Sequence, residues 1–123
     1  MIRVTFAAAT AAALTACASP PPRVADVSSG RVATANVARM TDCVADGFRE
    51  AVPLFVHIQV QQERRADAVR VESTVDAGVL IYADIGDDGT ATLVETSRAK
   101  LIGTSGNRQA FAECLARYAA PST

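Results

Sequence analysis

The alternation of apolar and polar positions divides the chain into three stretches. Residues 4–16 form an uncharged, alanine-rich run behind Arg3. Residues 18–30 show no apolar period; Pro20-Pro21-Pro22 and Ser28-Ser29-Gly30 give them the composition of an extended, partly flexible linker. From about residue 34 the pattern becomes periodic. Val37, Met40, Val44 and Phe48 recur at the three-and-four spacing that lines one stripe of a helix, with Cys43 and Gly47 beside them. A helix over residues 36–51 is expected. It ends before Pro53, whose ring and missing N–H cannot continue the hydrogen-bond ladder.

Beyond Pro53 the period changes to two. Leu54, Val56, Ile58 and Val60 alternate with Phe55, His57, Gln59 and Gln61, which predicts a half-buried strand over 54–61. Gln62-Glu63-Arg64-Arg65 reads as a charged connection. A second strand is expected over 68–75, a third and most apolar one over 79–85, and a threonine-rich fourth over 90–97. Asp76-Ala77-Gly78 and Gly86-Asp87-Asp88-Gly89 supply the turns between them. Phe111, Cys114, Leu115 and Tyr118 mark a final helix over 107–119. Helix, four strands, helix, with short connections, predicts a two-layer α+β domain (αββββα). In it a four-stranded antiparallel meander carries both helices on one face. A symmetric register across the Gly-Asp-Asp-Gly turn pairs Ile81 with Val94 and Tyr82 with Leu93, and leaves the buried face of the fourth strand undecided.

The first stretch is too short to span a bilayer, which takes about 20 apolar residues, but fits the apolar region of a secretory signal. It ends in Leu14-Thr15-Ala16-Cys17. This resembles the lipobox of bacterial lipoproteins, in which an aliphatic residue and two small residues precede a cysteine. The resemblance implies that residues 1–16 are a signal peptide. It also implies that Cys17 receives a diacylglyceryl group, that a peptidase cuts just before it, and that the new amine is acylated. Two or more chains hold a protein stably on a membrane, so the membrane itself is the first expected partner. In the Gram-negative families an Asp at the following position retains the protein in the inner membrane. Ala18 stands there, which implies the outer membrane, periplasmic face. The chain is similar in outline to the small two-cysteine lipoproteins of proteobacteria. It is also loosely similar, without a shared motif, to the lipopolysaccharide-assembly lipoprotein. The expected organisation is a signal peptide over 1–16, a lipidated cysteine and tether over 17–33, and a single α+β domain over 34–120. Residues 18–30 of the tether could reach roughly 40 Å when extended.

Composition narrows the function. With 123 residues there is room for one domain, and half of them are apolar, enough for a core. A net charge of −1 lacks the basic excess of a general nucleic-acid binder. With Cys17 lipidated, Cys43 and Cys114 remain, each on the apolar stripe of its helix. In an oxidising compartment such a pair reads as a disulfide, the alternative being two packed thiols. A bridge closing a loop of about 70 residues contributes up to about 4 kcal/mol. No Cys-x-x-Cys motif points to a redox site, and a single histidine argues against zinc; no metal or cofactor is expected.

His57 is the only histidine and alternates away from the apolar set of its strand. As a general base it would need a partner within hydrogen-bond reach. Asp84, Asp87 and Asp88 lie in or beside a turn, where aspartate is ordinary turn chemistry rather than a calcium loop. Gly103-Thr104-Ser105-Gly106 before the last helix could face an anion or simply cap the helix. If Val56, Ile58, Val69 and Ile81 face the helices, then Phe55, His57, Leu80 and Tyr82 face outward. Such a patch is a candidate surface for an envelope protein partner. The expected function is a non-enzymatic interaction or accessory module. A carrier of a small apolar ligand is the alternative, and requires a cavity between helices and sheet.

Overall fold

In a computed structural model of the chain, residues 23–53, 56–76 and 78–121 are described. The fold is α+β, with helices against an antiparallel sheet of five strands rather than four. The strands are β1 (Arg23–Arg31), β2 (Gln59–Arg64), β3 (Ala68–Val75), β4 (Gly78–Gly86) and β5 (Thr90–Thr96), ordered β1-β5-β4-β3-β2. The helices are α1 (Val37–Glu50), the single turn α2 (Ala99–Ile102) and α3 (Ser105–Tyr118). α1 and α3 match the apolar stripes of the sequence to within two residues of the expected ends. α1 lies against β2, β3 and β4, and α3 against β1 and β5, so the pair tiles the sheet.

The fifth strand is the main correction. Residues 23–31, expected within the tether, pair along β5 from Arg23↔Thr96 to Arg31↔Thr90. The strand is recruited by the free edge of β5 and not by an apolar period of its own. Two register shifts interrupt it, around residues 24 and 27. Val27, the extra residue of the second, packs against the core. Backbone bonds from Ala120 N–H to Arg31 O and from Ala33 N–H to Tyr118 O then fasten the end of β1 to the end of α3.

Two further corrections concern register. The expected first strand begins later and runs further, from Gln59 to Arg64. Gln62–Arg64, expected as a connection, pair with Val71–Val69. Val56 and Ile58 pack against the core from the preceding loop. Across the β4–β5 turn the loop has three residues, because Gly89 adopts φ +91° and Gly89 N–H bonds back to Gly86 O at 2.9 Å. A Cβ at Gly89 would stand 2.2 Å from the Val32 carbonyl oxygen, so both conformation and space require glycine. The added residue moves the register by one, giving Ile81↔Glu95, Tyr82↔Val94 and Ala83↔Leu93. This decides the fourth strand's faces: Ala91 and Leu93 join Ile81, Ala83 and Ile85 under the helices, and Val94 turns away beside Tyr82.

The core joins Met40, Val44 and Phe48 of α1 and Phe111 of α3 to Val71, Leu80, Ile81, Ile85 and Leu93 of the sheet, all fully buried. Cys43 and Cys114 form a disulfide between α1 and α3, with Cα atoms 5.9 Å apart.

Candidate functional site

The three described residues of the expected partner surface, His57, Leu80 and Tyr82, are not brought together. Leu80 is a correction: it is fully buried in the core. Ser73 pairs with Ile81 and Thr74 with Val79, so Leu80 is the extra residue of a β-bulge and two successive β4 side chains turn inward. The Thr96 hydroxyl donates to the carbonyls of Val79 and Leu80, the latter at 2.9 Å, and so satisfies the bulge. Tyr82 does lie on the face away from the helices. It is only 5% exposed, with the Arg70 guanidinium stacked 4.0 Å from its ring centroid. Arg70 also forks onto Asp84, Nε to Oδ1 at 2.7 Å and Nη2 to Oδ2 at 2.9 Å. His57 is exposed on the loop before β2, and Phe55 lies outside the described residues, as does Cys17.

The acidic hairpin is occupied by its own contacts. Arg64 Nη1 donates to Asp87 Oδ1 at 2.8 Å, and Thr90 N–H donates to Asp88 Oδ1 at 2.9 Å. The Arg64 hydrogen bond holds the Asp87 carboxyl below its ordinary range, and the Thr90 amide does the same for Asp88. At the start of α3 the Thr104 hydroxyl and Arg108 both donate to Glu95, Arg108 Nε at 2.6 Å. A carboxylate of the protein itself thus fills the place where an anion could have sat. Among the described residues no group of three or more His, Cys, Asp or Glu side chains is placed to hold a metal ion.

A furrow of about 610 Å³ lies between α1 and α3, on the side away from the sheet. Its floor follows from small residues four apart on both helices. Cys43 meets Cys114, Gly47 meets Ala110, and Ala51 meets Gly106, a ladder of constant residue sum that makes the helices antiparallel. A Cβ on Gly47 would stand 2.6 Å from that of Ala110, and one on Gly106 3.0 Å from that of Ala51. The backbones approach this closely only because the rungs are Gly, Ala and a disulfide. The walls are longer and polar. Asp42, Asp46 and Glu50 stand on α1, and Gln109, Glu113 and Arg117 on α3. Gln109 donates to Glu113 at 3.0 Å, and Arg117 Nη1 points at Cys43 Sγ from 4.0 Å. Cys114 is buried and Cys43 half-buried, so the bridge forms part of the furrow floor. The four-residue spacing Cys43-Gly47-Ala51 and Gly106-Ala110-Cys114 was visible in the sequence and is the signal that could have found this furrow. Compared with known proteins, the chain matches no family model, no curated sequence and no solved structure.

Proposed function

We propose that the chain is a lipoprotein of the bacterial envelope. Its leader is residues 1–16, its anchor a diacylglyceryl thioether on Cys17, and its α+β domain a non-enzymatic interaction or accessory module on the periplasmic face of the outer membrane. The observation that carries this reading is the Cys43–Cys114 bridge. Disulfides persist in oxidising compartments, which supports a domain outside the cytoplasm. The chain has three cysteines, and the bridge leaves Cys17 as the one available for lipid.

The furrow between α1 and α3 is the partner face in this reading. Four carboxylates (Asp42, Asp46, Glu50, Glu113) outnumber Arg39 and Arg117 along it, so a basic segment of another envelope protein is its complement. The carrier alternative requires an apolar vacancy between the layers, where Met40, Phe48 and Phe111 stand fully buried.

Intact mass of the membrane-extracted protein tests the anchor and the bridge together. The expected species starts at Cys17, carries acyl mass, and gains two hydrogens on reduction. A photo-crosslinking residue in place of Gln109 tests the partner face in cells. Capture should drop sharply in the Asp46→Lys/Glu113→Lys background, and capture indifferent to that charge reversal would remove the furrow from the proposal.

A further inference from the structure

The strand at Arg23–Arg31 shortens the leash. If the lipid sits on Cys17, only residues 18–22 separate it from the first residue of β1. Covalent geometry limits those six steps to about 20 Å, half the reach expected when the extended linker was taken to continue to residue 30. The Arg23 end of β1 is therefore held close to the bilayer, and the structure shows which other residues share that end.

Arg23 pairs with Thr96, where β5 stops, and the same end of the sheet holds the start of β4 and the loop between α1 and β2. α1 finishes there and α3 begins there, as the Ala51–Gly106 contact requires. Among the described residues two large hydrophobic side chains are exposed, Leu101 at 88% and Val52 at 45%, and both lie at this end. α2 presents Leu101 outward. Ala99 is buried at 6% and Ile102 packs against the core, so this single turn is pinned on one side and turns Lys100 and Leu101 to the exterior. Gly103, at φ +86°, ends it. Arg98 and Lys100 precede Leu101, Arg98 with its guanidinium over Gly78 at the start of β4, and neither is held in an ion pair among the described residues. Asp76 and Glu50 also belong to this end, with Arg108 committed to Glu95. The opposite end, by contrast, exposes Ala66 and a near-balanced set of charges (Glu63, Asp67, Asp87 and Asp88 with Arg31, Arg64 and Arg65), and no large apolar side chain among the described residues.

We propose that the end of the domain carrying Leu101 and Val52 docks on the lipid surface to which Cys17 ties the chain. Leu101 enters the headgroup boundary, with Arg98 and Lys100 at the level of anionic headgroups. The proposal rests on the lipoprotein reading, and adds an orientation to it: α2 toward the bilayer, the β2–β3 and β4–β5 hairpins away from it.

The protein contains no tryptophan, so one introduced residue reports alone. Leu101→Trp and, at the opposite end, Ala66→Trp are made in the full lipidated chain. Each is incorporated into phosphatidylethanolamine–phosphatidylglycerol vesicles, with and without acyl-brominated lipid. Leu101→Trp is expected to emit at shorter wavelength in vesicles than in detergent-free buffer, and to be quenched several-fold more by bromolipid than Ala66→Trp. Val52→Trp gives a second reporter at the same end should Leu101→Trp disturb α2. Equal, water-like emission from both ends of a vesicle-bound, lipidated chain overturns the docking while leaving the anchor intact. A chain without acyl mass on Cys17 overturns both. A blue shift that bromolipid does not quench places a protein on Leu101 instead of lipid, and also overturns the proposal.

Discussion

On the face toward the helices, Val71, Ile81, Ala83, Ile85, Ala91 and Leu93 meet α1 and α3 with no exposed surface. On the opposite face the same strands present Arg70, Tyr82 and Asp84, in which an aromatic ring is covered by a guanidinium that is itself forked onto a carboxylate. The first face is held by the removal of apolar area from water, worth about 25 cal/mol per Å² and indifferent to direction. The second depends on geometry, since each contact exists only at one distance and angle. The comparison teaches that a sheet with helices on one side can still bury a tyrosine on the other, provided the strand pairing sets a cationic side chain beside it.

The largest effect should come from the helix-facing side. Phe48→Ala leaves a void in a fully buried site, and is expected to lower unfolding stability by about 3–5 kcal/mol in chemical denaturation. Replacing Cys43 and Cys114 together by Ser releases a cross-link between residues 71 apart, and should cost about 2–4 kcal/mol. The same experiment under reductant should erase the difference between variant and wild type. On the open face a double-mutant cycle of Arg70→Ala and Asp84→Ala should give a coupling of about 1 kcal/mol, with Tyr82 fluorescence reporting the loss of the stacked guanidinium. A coupling near zero would mean that Tyr82 is covered without help from the pair.

The smallest effect concerns acid. The Asp87 and Asp88 carboxyls are held below their ordinary values in the folded chain. Their contribution is therefore present above the unfolded carboxylate range, about pH 4, and is lost as pH falls through the folded values. Thermal unfolding followed from neutral to acidic pH should show a fall that is shallower in Asp87→Asn than in wild type.

What could be read in advance follows the same division. The helices over 37–50 and 105–118 and the apolar strand β4 were legible because burial writes a period into the sequence. β1 was not, because Asp26, Ser28, Ser29 and Gly30 occupy a position fixed by the free hydrogen-bonding edge of β5 and carry no apolar alternation. Leu80 was misplaced because a bulge breaks the two-residue rule from which its direction was inferred, and a bulge is set by the partner strand as much as by its own. The charged stretch Gln62–Arg64 read as a connection since an edge strand can be polar on both sides, which also blunts the edge against pairing with other chains. The disulfide was anticipated from two stripes and a compartment. The furrow around it depends on a close helix approach that only the matched Gly and Ala rungs reveal.

The pairing of the earliest strand with the last one has a consequence for how the domain comes into being. Among the described residues β1 comes first along the chain, yet its partner β5 and the α3 residues that fasten its end lie far downstream of it. Closure is thus a late, non-local event of the kind that slows folding. The sheet edge and the bridge can therefore be completed only once β5 and α3 are both in place.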